Sequence, residues 1–160
     1  ISTVVSEMHT GEYLSTLVAG NIHAGFLPVI LFMLAGVMAF ATGTSWGTFG
    51  IMLPIAAAMA VKVEPSLIIP CMSAVMAGAV FGDHCSPISD TTILSSTGAH
   101  CNHIDHVTSQ FPYALTVAAS AASGYLALGM TGSAPLGFVV TGIVMVILIF
   151  ILKDKKKATA

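Results

Sequence analysis

VFGDHCSPISDTTI, residues 80–93, sets two aspartates, Asp83 and Asp90, between two apolar runs. His84, Cys85, Ser86, Pro87, Ser89, Thr91 and Thr92 fill out the same stretch. An acid flanked by greasy sequence either caps a helix or binds something. The architecture follows from where those acids sit.

The whole chain is 160 residues long, 56% hydrophobic and only 8% charged. Soluble domains carry about 25% charged residues, so too little charge is left here to cover a surface in water. There is no arginine, and four of the five lysines fall in the last eight residues, KDKKKATA. The composition therefore reads as a membrane protein and excludes a basic surface for nucleic acid. Cys71, Cys85 and Cys101 have no CxxC spacing, which points to reduced thiols packing as small residues rather than a disulfide frame or zinc site. No phosphate-binding GxxxxGK occurs and nothing resembles a soluble enzyme site, so the reading is not an enzyme and calls for no cofactor. The chain opens on Ile1 without a basic start and apolar core, so no signal peptide is read there and a fragment of a longer chain is expected.

A spanning helix needs about 20 mostly apolar residues. Residues 22–41 meet this, with Pro28 as a candidate kink. TGTSWGTFG, 42–50, interrupts with small and hydroxyl-bearing residues, and IMLPIAAAMAV, 51–61, follows. At 1.5 Å per residue the latter reaches only about 16 Å, a half-helix. The expected form of 22–61 is a re-entrant hairpin, the alternative being a full crossing. KVEPS, 62–66, reaches a membrane surface. Residues 67–99 read as one broken helix, interrupted at GDHCSPISDTT. HCNHIDHVTSQ, 100–110, is aqueous, and spans follow at 111–130 and 136–152, the last bulky enough to be a peripheral, lipid-facing helix. The lysines place the 153–160 tail in the cytoplasm by the positive-inside rule. Counting back puts 100–110 inside and 62–66 outside. The fold class is an all-α membrane protein with a re-entrant hairpin and a discontinuous helix.

Non-helical backbone at membrane depth is tolerated only inside protein or beside a wet cavity. Broken helices of this kind build ion sites in secondary transporters. The residue types at both interruptions are oxygen donors, which suit sodium; a soft metal would want clustered Cys and His. Candidates for cation and proton binding are Asp83, Asp90, Ser86, Ser89 and Thr91 from one interruption, and Thr44, Ser45 and Thr48 from the other. An acid within the bilayer is a functional candidate by default. Burial disfavours a bare carboxylate while a cation stabilises it, so one acid can carry either ion. SDTT can place Ser89 or Asp90 at an N-cap, so for Asp90 the alternative is a helix cap. His100, His103 and His106 share one broad helical face, compatible with a metal site or pH sensor, but the polar surroundings favour solvated side chains. Trp46 is a candidate anchor for the hairpin tip or a pathway lining, and His23 an interfacial residue.

GTSWGTFGIMLPIAAAMA and GAVFGDHCSPISDTTILSSTGAHCNHIDHVTSQFPYAL closely resemble the second half of NhaC-type sodium/proton antiporters. The likeness covers roughly residues 30–120. It implies a secondary antiporter of the bacterial inner membrane, within the wider ion-transporter superfamily of two inverted repeats. Sodium would leave in exchange for protons. On that pattern GTSWGT is the hairpin tip of the second repeat and GDHCSPISDTT the break in the next helix. Family members are much longer, so the partners implied are sodium, protons, lipid and the missing N-terminal repeat or another membrane subunit. The alternatives are an organic-acid exchanger of the malate/lactate type, or a non-transporting membrane fragment that assembles with a partner.

Overall fold

The computed structural model describes Glu7, Tyr13 and residues 23–158. The rest of the opening stretch and the last two residues of the 153–160 tail lie outside the described residues. The elements in chain order are all helical: α1 Leu27–Thr42, α2 Ser45–Val63, α3 Ile68–Cys85, α4 Asp90–Gly98, α5 His103–Thr131 and α6 Ala134–Ala158. Short 3-10 turns at Ala24–Phe26 and Pro65–Leu67 lead into α1 and α3. Among the described residues, five helical stretches are long and apolar enough to cross a membrane; α4, with nine residues, is not one of them.

Pro28 lies in the first turn of α1, where its missing N–H would have had no helical partner anyway. The kink expected there is therefore absent from its cause: Pro28 starts the helix. Leu27, Leu31, Ala35 and Ala39 recur every four residues along α1 and are buried. They meet Met52, Ile55, Ala56, Met59 and Ala60 of α2 and Cys71, Val75 and Ala79 of α3 in one apolar core. Phe32 joins Ala74 and Ala118 in a second cluster that docks α5, with the Phe32 and Tyr125 rings 5.6 Å apart.

Two glycines set how near α1 and α3 lie. A Cβ on Gly78 would strike the Phe32 carbonyl oxygen, and one on Gly82 the Gly36 carbonyl oxygen. Backbones that touch in this way are the usual packing solution in lipid, where dispersion rather than water expulsion draws helices together.

Gly43 ends α1 with φ 68°, the left-handed conformation that glycine adopts without a Cβ penalty, and its N–H returns to the Ala39 carbonyl at 2.8 Å. Thr44 then starts α2 as its N-cap, its Oγ1 accepting from the Gly47 N–H at 3.3 Å. This corrects the expected half-helix at 51–61: the helix begins at Ser45 and runs 19 residues. The Thr44 cap supplies the start, and packing outweighs the low helix propensity of Gly47 and Gly50, about 1 kcal/mol each. The half-length that favoured a hairpin over a crossing is thus gone. Pro54 inside α2 lacks the N–H that would reach the Gly50 carbonyl.

The aqueous reading of 100–110 also changes in part. Asn102 caps α5, its Oδ1 accepting from the Ile104 and Asp105 N–H groups at 2.9 and 3.3 Å, so helix begins at His103. The resulting 29-residue helix measures about 43 Å, longer than the roughly 30 Å of hydrocarbon. Its polar N-terminal turns are the part left over. α6 packs on α5 and leaves bulky side chains such as Phe138, Val139 and Phe150 exposed.

Candidate functional site

The interruption after α3 is set by Pro87. A residue before proline is steered out of helical conformation, and Ser86 accordingly sits at φ −74°, ψ 128°. Ser89 is likewise extended and takes the N-cap position of α4. The true break is therefore residues 86–89, narrower than the GDHCSPISDTT stretch expected. Asp83 and His84 belong to the last turn of α3.

The two interruptions meet. The Gly43 turn lies on the break, since a Cβ there would stand 2.9 Å from the Ile88 carbonyl oxygen. This brings the start of α2 against the end of α3. Asp83 is buried, 8% exposed, with one carboxylate oxygen facing each side. The Ser45 hydroxyl donates to Asp83 Oδ2 at 3.0 Å, and the Ser89 hydroxyl donates to Oδ1 at 2.6 Å. Hydrogen bonds to a charged group contribute about 1.5–3 kcal/mol each. Ser89 Oγ also lies 2.8 Å from Thr91 Oγ1. A hydroxyl has one hydrogen, and that of Ser89 is given to Asp83, so Thr91 donates to Ser89. The result is an ordered line, Thr91 to Ser89 to Asp83, running from an exposed residue to two buried ones.

Of the other predicted residues, Ser86 is fully buried and its Oγ accepts from the Ile88 N–H at 3.4 Å, bracing the break. Thr44 is occupied as the α2 cap, and the Thr48 hydroxyl donates to the Thr44 carbonyl at 2.9 Å. Asp90 is exposed and opens α4, where an acid faces the positive end of the helix dipole. Among the described residues its side chain takes no hydrogen bond. Asp83 thus gathers Ser45, Ser89 and, through Ser89, Thr91; Asp90, Thr44 and Thr48 serve local structure. Trp46 is 82% exposed and meets Phe49 edge-on, so it is not packed into the turn. His23 caps the first 3-10 turn, its Nδ1 accepting from the Gly25 N–H at 3.1 Å.

The histidine segment supplies residues that sequence reading placed in solvent. His103 Nε2 lies 2.7 Å from the Pro87 carbonyl oxygen, and its Nδ1 3.0 Å from Ser96 Oγ. A carbonyl only accepts, so Nε2 carries a hydrogen. His106 Nε2 lies 3.1 Å from Ser95 Oγ. Gln110 Nε2 donates to the His84 carbonyl at 2.7 Å, one of the acceptors released where α3 ends. One face of α5, at positions 103, 106 and 110, thereby clasps the break and α4. The sequence holds a signal for the helix alone, not for its partners: Asn102 is a good N-cap, and a helix started there puts these three on one side. No trio of His, Cys, Asp or Glu suited to a metal ion occurs among the described residues.

Comparisons with known proteins bear on this geometry. The sequence profile of the Na+/H+ antiporter family matches residues 1–130. An uncharacterized protein of Haemophilus influenzae is 63% identical over 97% of this chain, covering 30% of its own length. A malate-2H+/Na+-lactate antiporter of Bacillus subtilis is 35% identical over 54% of the chain and 18% of its own length. An arginine/ornithine antiporter of Halobacterium salinarum is 32% identical over 71% of the chain and 27% of its own length. The chain spans less than a third of the length of these relatives. No solved structure matches.

Proposed function

The chain belongs to the Na+/H+ antiporter family, and on that premise we propose that it forms the ion-handling part of a secondary antiporter that exports sodium in exchange for protons. The observation that carries this is the buried Asp83 carboxylate, held by a hydroxyl from each interruption. A carboxylate among hydroxyl oxygens offers hard oxygen ligands that suit sodium, and the same carboxylate oxygens can take a proton. Sodium and a proton then compete for Asp83, with Ser45, Ser89 and Thr91 at hand as further oxygen ligands. Exchange follows from that competition when the site faces the two sides of the membrane in turn. The remaining ligands come from membrane segments beyond this chain, either a first repeat or another subunit. The setting is a bacterial inner membrane with the lysine-rich tail in the cytoplasm.

The test is Asp83→Asn in the transporter that carries this chain, measured as sodium-dependent proton movement in everted vesicles. Exchange should fall to background, and wild-type exchange would refute the assignment. A second reading, a sodium- and proton-coupled exchanger of organic acids, is favoured by the likeness to the malate/lactate antiporter. Labelled malate or lactate uptake, measured against sodium alone, separates the two. A fragment that only assembles with a partner is separated by reconstituting the 160-residue chain: sodium-driven pH change with no partner added rejects it.

A further inference from the structure

We propose that the pocket between the ends of α3, α4 and α5 is the mouth through which Asp83 exchanges a small hard monovalent cation, sodium or hydronium, with water. Thr91 and Ser89 are the two hydroxyl steps between. The proposal rests on the reading of Asp83 as the ion-carrying carboxylate.

The pocket holds about 90 Å³ and is lined by His84, Thr91, Thr92, Ser95 and Gln110. All five side chains are polar, in a chain that is 56% hydrophobic. Water occupies about 30 Å³ per molecule in the liquid, so the space suits a cation that keeps part of its shell. Thr91 belongs to both the pocket wall and the hydroxyl line. From it the oxygens run without a gap: 2.8 Å to Ser89 Oγ, then 2.6 Å to Asp83 Oδ1. Thr91 is exposed, while Ser89 and Asp83 are buried, so a cation would trade water for hydroxyl oxygen in steps. On the far side, Ser45 occupies Oδ2, leaving Oδ1 as the oxygen this route reaches. Gln110 and His106 hold the wall in place from α5.

The chain carries its own reporter. Cys101, in the turn before α5, is exposed, whereas Cys71 and Cys85 are buried. Labelling of native Cys101 by a water-soluble thiol reagent identifies which membrane face holds this end. Thr91→Cys is then made with Cys101→Ser. Labelling is expected from that same face, slowed several-fold by sodium. Ser95→Cys at the rim is a second position with the same expectation, should Thr91→Cys fail to assemble. Absence of labelling from that face, or labelling indifferent to sodium, overturns the route. If Asp83→Asn is inactive and Thr91→Cys inert, only the route fails; if Asp83→Asn still exchanges, the ion site itself fails.

Discussion

The links at 43–44 and 86–89 are built from the same kinds of residue, and they do opposite things. At the first, Gly43 and Thr44 turn the chain in two residues, and the Thr44 and Thr48 oxygens are spent on backbone partners. At the second, Pro87 keeps four residues out of helix, a turn between extended Ser86 and Ser89, and the Ser89 hydroxyl meets Asp83. The first link contributes to the site only through Ser45, which lies just inside its helix. A hydroxyl-rich interruption is therefore no site in itself. What matters is whether its backbone, once folded, still needs those hydroxyls.

Substitutions that pull the two links apart follow from this, beginning with the largest effect. Asp83→Asn removes the charge on which both hydroxyls converge and is expected to abolish exchange, while Asp90→Asn is not; the reverse outcome would invert the contrast. Next comes Ser89→Ala. Loss of a charge-assisted hydrogen bond of about 1.5–3 kcal/mol corresponds to about 10- to 100-fold, read as a weaker apparent affinity for sodium. Ser45→Ala should weaken it less, since its bond is longer and no second hydroxyl stands behind it. Thr44→Ala is expected to lower thermal stability through loss of the α2 cap, about 1 kcal/mol, with sodium affinity retained. An affinity loss matching that of Ser45→Ala would mean that the first link binds ions directly. Asp90→Asn is the smallest change, about 0.3–1 kcal/mol at the α4 N-terminus, visible as a stability loss that shrinks when salt is added.

The helical character and the interruption near 83–92 were legible in the sequence because each has a local cause: long apolar runs and a proline. The extent of α2 was not. TGTSWGTFG looks like a breaker by composition, yet the Thr44 cap and the burial of Met52, Ile55 and Ala56 carry helix back to Ser45. Nor was the role of α5. His103, His106 and Gln110 read as solvated because every neighbour in sequence is polar. Their partners, Pro87, Ser95, Ser96 and His84, are brought to them only by the tertiary fold. The placement of Asp90 lay between these cases: the start of α4 was foreseeable with Ser89 or Asp90 as its cap, and Ser89 holds that position.

The glycine contacts of α1 with α3 have a mechanical consequence. Gly78 and Gly82 rest directly on the main chain of α1, one turn before Asp83 and immediately beside it. Two rods already touching along that seam have no slack to part and rejoin without losing their grip. The α3 side of the carboxylate is thereby fixed to α1 by main-chain contact, whereas α4 is tied to α5 by the side-chain hydrogen bonds of His103 and His106.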